Sequence, residues 1–418
     1  MKQIIRDVRL RGRDRSFDVA LEDDRIAAVE PRIEAQADAE HDGRGGLLVP
    51  GFVNAHQHLD KCMLGDVMRQ NESQTLQEAI EITWDHKRNY TPEEIANRAG
   101  PVIEAAIVNG TTAIRGFADV DTIGGLVPVQ GLLELKRRFE GLITFEVVAF
   151  PQEAIVRDPG CDKLMEQAMD MGCDVVGGLP WYERLDHDVQ EHIDFCFELA
   201  KRTGKDLHML ADDTDDPYSR SLEYLAVRTI EEGYHGRVTA SHCGALAAYD
   251  DNHAAKVIGL VKEADISIAS NTQISLVLDG RRDRGLIRRG ITRVRELLDA
   301  GVNVLSAQDD VNDPYYPFGK PDQIEVGQYT AHVAQLTYLP ELETVFDMIT
   351  YNAARAMRLE GYGLNRGDRA DLVVIDAPTV RDALRLVPPR RLVFHDGRLM
   401  AESRLESTLH HGAEVTSG

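Results

Sequence analysis

Eight short apolar segments alternate with amphipathic helical stretches between about Leu48 and Arg366, in a chain of 418 residues. The segments are LLVPGFVNA, TAIRGFA, ITFEVVAF, DVVGGLP, DLHMLA, RVTASH, ISIAS and VNVLSAQ. Stretches such as PEEIANRAGPVIEAAIVNG, VQEHIDFCFELAKRTG and ITRVRELLDAG separate them, and several end in glycine, the residue a helix C-terminus prefers. A strand–helix alternation repeated over about 300 residues suits an α/β fold of the (β/α)8 barrel type. A doubly wound sheet would carry a glycine-rich phosphate turn after its first strand, and PGFVNAHQH is not one. Both chain ends read instead as short strands and hairpins: IIRDVRL, SFDVALED and RIAAVE at the start, DLVVID and RLVFHDGRLM at the end. Neither end is long enough to bury a core alone, so the two are expected to join in one small β-sandwich domain. The expected division is 1–48 and 367–405 for that domain, 49–366 for the barrel and 406–418 for a tail with His410-His411 exposed.

Composition narrows the partners. With 70 Asp and Glu against 47 Lys and Arg, the formal charge is −23. Such a surface repels phosphate backbones and anionic lipid, so neither a nucleic acid nor a membrane is expected as a partner. The chain has no apolar run of the ~18 residues that a spanning helix needs, and its first residues lack the apolar stretch of a signal peptide. Five scattered cysteines without C-x-x-C spacing point to reduced thiols in the cytoplasm. A small-molecule substrate and a homo-oligomer are the expected partners.

Chemistry gathers at the strand ends. His56 and His58 stand two apart at the end of the first barrel strand, and residues i and i+2 of a strand point to one side. An H-x-H pair alone is a weak signal. His208 lies in the fifth segment, His242 ends the sixth, and Asp309-Asp310 follow the last. Catalytic groups of a barrel collect at these C-terminal strand ends. Imidazoles with a carboxylate form a site for one divalent ion, Zn2+ first, with Fe2+ or Mn2+ also suited. The other histidines fall in helical or charged stretches and read as structural or solvated.

The stretch VPGFVNAHQHLDK has the form of the first-strand metal motif of the amidohydrolase superfamily, which it resembles. From about Gly51 to Pro317 the chain is similar to the cytosine deaminase branch, including the N-isopropylammelide amidohydrolase type. EVVAFPQE, DVVGGLPWYE, RVTASH, RRGITRV and QDDVNDPYYPFG carry the likeness, and NAARAMRL with GLNRGDRADLVVID resembles the return to the small β-domain. The resemblance implies His56, His58, His208 and Asp309 as metal ligands, with Asp309 also the base. It implies His242 as the residue that polarises water and leaving group, and Gln152 as a hydrogen-bonding partner of the substrate ring. Asp310 and Tyr315 would line the pocket.

Three departures bear on the reaction. Cytosine deaminases of this type carry a proton-shuttling glutamate three residues after the third metal histidine, and here that position is Ala211. Asp212 substitutes for it only if the strand has already ended. Trp181 replaces the histidine of a Pro-His-Phe-Glu element. Lys61, three residues past His58, is either a solvated lysine paired with Asp60 or Asp66, or a group that polarises substrate or donates a proton. The expected activity is therefore metal-dependent hydrolysis of a C–N bond of a nitrogen heterocycle other than cytosine. An amidase acting on a cyclic or small linear amide is the alternative, and an inactive binding homologue a remoter one.

Overall fold

The structure, a computed structural model, describes residues 2–281, 284 and 291–410. Arg288-Arg289-Gly290 of the RRGITRV stretch, and residues 411–418 with His411, lie outside the described residues. Four strands open the chain: β1 (Lys2–Arg9), β2 (Ser16–Glu22), β3 (Arg25–Glu30) and β4 (Ala39–Pro50). The barrel follows with β5 (Phe52–His58), β6 (Thr111–Asp119), β7 (Thr144–Phe150) and β8 (Val175–Gly178). It continues with β9 (Asp206–Ala211), β10 (Val238–His242), β11 (Ser267–Ser270) and β12 (Asn303–Ser306). Each of the eight apolar segments read from the sequence overlaps one of these strands. They pair in parallel in chain order, β5 to β12.

Closure runs through the site itself. The His58 amide donates to the Asp309 carbonyl and the Asp309 amide to the His56 carbonyl, each at 2.9 Å. Gln308 N adds a bond to Asn54 Oδ1 across a separation of 254 residues. Strands β5 and β6 are buried along their whole length, as barrel strands covered by helices must be. Small and medium side chains (Val53, Ala55, Ala113, Ala269, Leu305) fill one end of the interior, plugged by Ala353, Ala354 and Met357 from the segment around helix Tyr351–Ala356. Side chains of that size fit the narrow lumen and leave the strand C-termini at the other end free for polar groups.

The chain ends return to a common sheet. Strands β13 (Leu372–Ile375), β14 (Arg390–His395) and β15 (Arg398–Glu402) join β1–β4 in the order β15-β14-β13-β4-β1-β2-β3. The β1–β4 pair is parallel and the other pairs are antiparallel. The run LLVPGFVNA is divided: β4 ends in this sheet at Pro50, and β5 begins the barrel at Phe52. Gly51 makes the crossing because a Cβ there would lie 2.1 Å from Thr112 Oγ1. Asp396 and Gly397, both at positive φ, form the tight turn that the Asp-Gly pair foretold. Helix Val380–Leu386 sits among the terminal strands, where the sequence reading had strands alone. His395, expected in a helix or charged loop, is a buried strand residue paired with Asp371 at 2.9 Å. Among the described residues, no helix is long and apolar enough to cross a membrane.

Candidate metal centre and substrate cavity

Burial governs the strand-end histidines. His56 stacks on Phe117 with ring centroids 4.0 Å apart, and its Nε2 lies 3.3 Å from that of His58. Both nitrogens face Asp309 Oδ1, at 3.2 and 3.5 Å. That oxygen is buried and has no hydrogen-bond partner. Asp309 Oδ2 accepts from Asn271 Nδ2 at 2.9 Å and lies 3.4 Å from His242 Nε2. Burial holds His56 below its ordinary pKa; burial and the Lys61 ammonium hold His58 well below it. Against its own burial, the surrounding histidines keep Asp309 below the usual carboxylate range. Neutral imidazoles, an ionised carboxylate and an orphaned oxygen between them are the donor set a divalent cation requires.

His208 stands one hydroxyl away. Its ring lies 5.1 Å from that of His56, and Ser241 Oγ sits between them, 2.9 Å from His208 Nε2 and from His56 Nδ1. Arg115, fully buried, reaches His208 Nδ1 at 3.3 Å and pairs with Glu146 at 2.7 Å. His242 is built differently. Its Nδ1 is 3.1 Å from Asp213 and its Nε2 faces Asp309, so these carboxylates outweigh burial and raise it to about 9. His242 also falls, with His56 and Asp309, in a group that could hold an ion. Both His242 and Asp309 have positive φ, a conformation costly for residues with a Cβ and typical of places where a side chain must be aimed.

Lys61 is no solvated lysine: it is 1% exposed. Its ammonium donates to Asp119 Oδ1 at 2.7 Å and to Gln152 Oε1 at 3.1 Å, and lies 3.1 Å from His58 Nδ1. Asp119 also holds Lys87, itself bonded to Asp121 at 2.7 Å. Against burial, Asp119 keeps Lys61 above the ordinary lysine value, whereas burial and Asp119 push Asp60 up to about 7.

These groups face one cavity. His58, Lys61, Gln152, Trp181, His242, Asp309, Asp310 and Tyr315 line it together, with an apolar wall of Leu76, Ile80, Leu179, Leu210, Ile274 and Leu278. Leu76 and Ile80 come from helix Leu76–Lys87, whose start is fixed by the Thr75 side chain accepting from Glu78 N at 3.2 Å. Trp181 Nε1 and Tyr315 Oη are buried without partners. Burial first, then the neighbouring Asp313 and Asp309, raises Asp310 well above the carboxylate range.

Asp212 is the predicted residue that the structure leaves outside. Its carboxylate accepts from Ser219 Oγ (2.6 Å), Ser221 N (2.8 Å), Ser221 Oγ (2.7 Å) and Leu222 N (3.0 Å), anchoring the start of the helix Ser221–Glu231. Asp213 lines the cavity instead. The sequence reading missed Asp213, Asn271, Arg115 and Asp119. Only Asp213 left a trace there, as the second carboxylate after the strand end.

The family model described as "Amidohydrolase family" matches residues 75–415. Among curated proteins, the N-isopropylammelide isopropyl amidohydrolase of Pseudomonas sp. (strain ADP) is 31% identical over 96% of this chain and 98% of its own length. The pterin deaminase of Rhizobium rhizogenes is 28% identical over 92% and 88%. Among solved structures, the 5-methylcytosine deaminase of Klebsiella pneumoniae with 5-fluorocytosine superposes with a TM-score of 0.93 at 34% identity, covering 98% of this chain and 99% of that one.

Proposed function

The chain belongs to the amidohydrolase family, in its cytosine deaminase-like branch, and we propose that it removes an amino or alkylamino group from a small nitrogen heterocycle by hydrolysis. It is a metal-dependent hydrolase of non-peptide C–N bonds. The observation that carries the finer reading is the lining of the cavity: an aliphatic wall beside Trp181, with Lys61, Gln152, His242 and Asp310 on the same cavity. That lining suits a flat ring with polar edges.

His56, His58 and Asp309 would hold the ion, with His208 joining them if its Nε2 turns from Ser241; Zn2+ is the proposed metal, and Fe2+ or Mn2+ meets the same donors. Bound there, the ion supplies Lewis-acid activation of water. Asp309 takes up the water's proton. His242, protonated between two carboxylates, donates to the atom on which negative charge develops. Lys61 and Gln152 hold the ring edge, and the Trp181 indole N–H is free to donate to a ring carbonyl. The five cysteines are free and buried, which supports the cytoplasm as its location.

The test is a panel of amino- and alkylamino-substituted pyrimidines, s-triazines and pterins with the metal-loaded protein. Release of ammonia or amine with the ring intact is the expected result. A product heavier by one water with no amine released would overturn it in favour of ring opening.

A further inference from the structure

We propose that Asp213 carries the proton that the leaving nitrogen needs, in place of the carboxylate missing at position 211. The proposal rests on the aminohydrolase reading above. Ala211, the last residue of β9, is fully buried in the apolar cluster around the barrel and does not line the cavity. The chain then turns out of the strand at Asp212, whose φ of +53° breaks the alternation of sides. Asp212 is consumed by the helix start it anchors. The turn delivers the next side chain, Asp213, to the cavity wall, with Oδ1 at 3.1 Å from His242 Nδ1.

The other carboxylates at the cavity are committed. Asp309 is ringed by His56, His58 and His242, and Asp310 by its buried neighbour Asp313. Asp213, paired with His242 and with a side chain 16% exposed, is the lining carboxylate that has no place in the metal cluster. In the hydrolysis, the water oxygen forms a C–O bond with the ring carbon. The exocyclic C–N bond breaks, and its electron pair leaves with nitrogen. One water proton, taken up by Asp309, is relayed across His242 (3.4 Å from Asp309, 3.1 Å from Asp213) to Asp213 and on to that nitrogen, which departs as neutral amine; the other remains on the keto tautomer of the product.

The test compares Asp213→Asn, Asp213→Glu and wild type on two substrates. One is the panel heterocycle from which wild type releases amine fastest; the other is the same ring with fluorine replacing the amine, since fluoride leaves without a proton. For Asp213→Asn, kcat on the amine should fall at least on the order of 100-fold with KM within about threefold. Turnover of the fluoro ring should fall far less, only by the part Asp213 contributes through His242, and Asp213→Glu should recover part of the loss. Metal content by elemental analysis and Tm should match wild type in both variants. Equal losses on both rings would overturn the proposal, leaving Asp213 as a residue that positions His242. An unchanged kcat on the amine would overturn it outright. If wild type released amine from no panel member, the underlying reading would fall and the proposal with it.

Discussion

Lys61 and Asp119 form an ion pair of 2.7 Å in which neither side chain is more than 1% exposed. Asp119 serves two ammonium groups at once, because Lys87 lies against its other oxygen. A buried pair such as this is weak support for stability, yet removing one partner leaves an uncompensated charge.

Asp119→Asn should therefore destabilise the fold by about 3–5 kcal/mol in urea melts, since two buried lysines lose their shared counter-charge. Lys61→Met leaves Asp119 matched by Lys87. It should cost less stability than Asp119→Asn while lowering turnover more than tenfold, roughly the loss of one charged hydrogen bond to substrate. A reversed order of stability losses would contradict the shared-carboxylate arrangement.

Metal retention separates the histidines. His208→Ala should lose most of its metal, in line with the roughly 10–100-fold affinity losses seen when metal-site partners are removed. His242→Ala should keep it, because the His242 ring nitrogens face Asp213 and the Asn271-bonded Oδ2 of Asp309, not the orphaned Oδ1. Wild type should retain one equivalent: β8 ends in Gly177-Gly178, with no carboxylate to bridge a second ion. Elemental analysis reads all three.

Glu153 gives a pH signature. Burial raises it to about 7, while the unfolded chain releases that proton near 4.5. Stability is lost as pH rises between those values, and the deficit is complete above pH 7. Glu153→Gln keeps an acceptor for Trp84 Nε1 and removes the deficit. Thermal melts should find the variant about 1–3 kcal/mol more stable than wild type at pH 8, and no different at pH 4.

Ala211→Glu should not restore a proton shuttle. The position packs in the apolar cluster, so a carboxylate there is buried without a partner and costs roughly 3 kcal/mol or more. Ammonia release from cytosine should not rise above the wild-type rate, and Tm should fall.

The barrel was legible because its signal is repeated: β-rich apolar runs ending in polar groups, separated by helices with glycine ends, leave little room for another topology. His56, His58, His242 and Asp309 were legible because each terminates such a run. Asp213 was not, because the rule that alternate strand residues share a face holds only while the strand lasts, and the chain leaves it at Asp212. Lys61 stayed ambiguous for a different reason. Its nearest acidic neighbours in sequence, Asp60 and Asp66, suggested a surface pair, whereas its closest partner, Asp119, ends the neighbouring strand. Side chains that act through residues far along the chain leave no local pattern.

The backbone bonds by which His56 and His58 clasp Asp309 are also the stitches that join the first barrel strand to the segment after the last. An emerging polypeptide thus possesses no reactive centre until the residues following β12 have arrived and docked, and contacts spanning such sequence distances form late. A chain halted or clipped before Asp309 would be inert toward cellular amines and amides rather than indiscriminate. The same stitching ties activity to integrity in the finished molecule: parting of that one seam would switch off hydrolysis before the remaining strands had come apart.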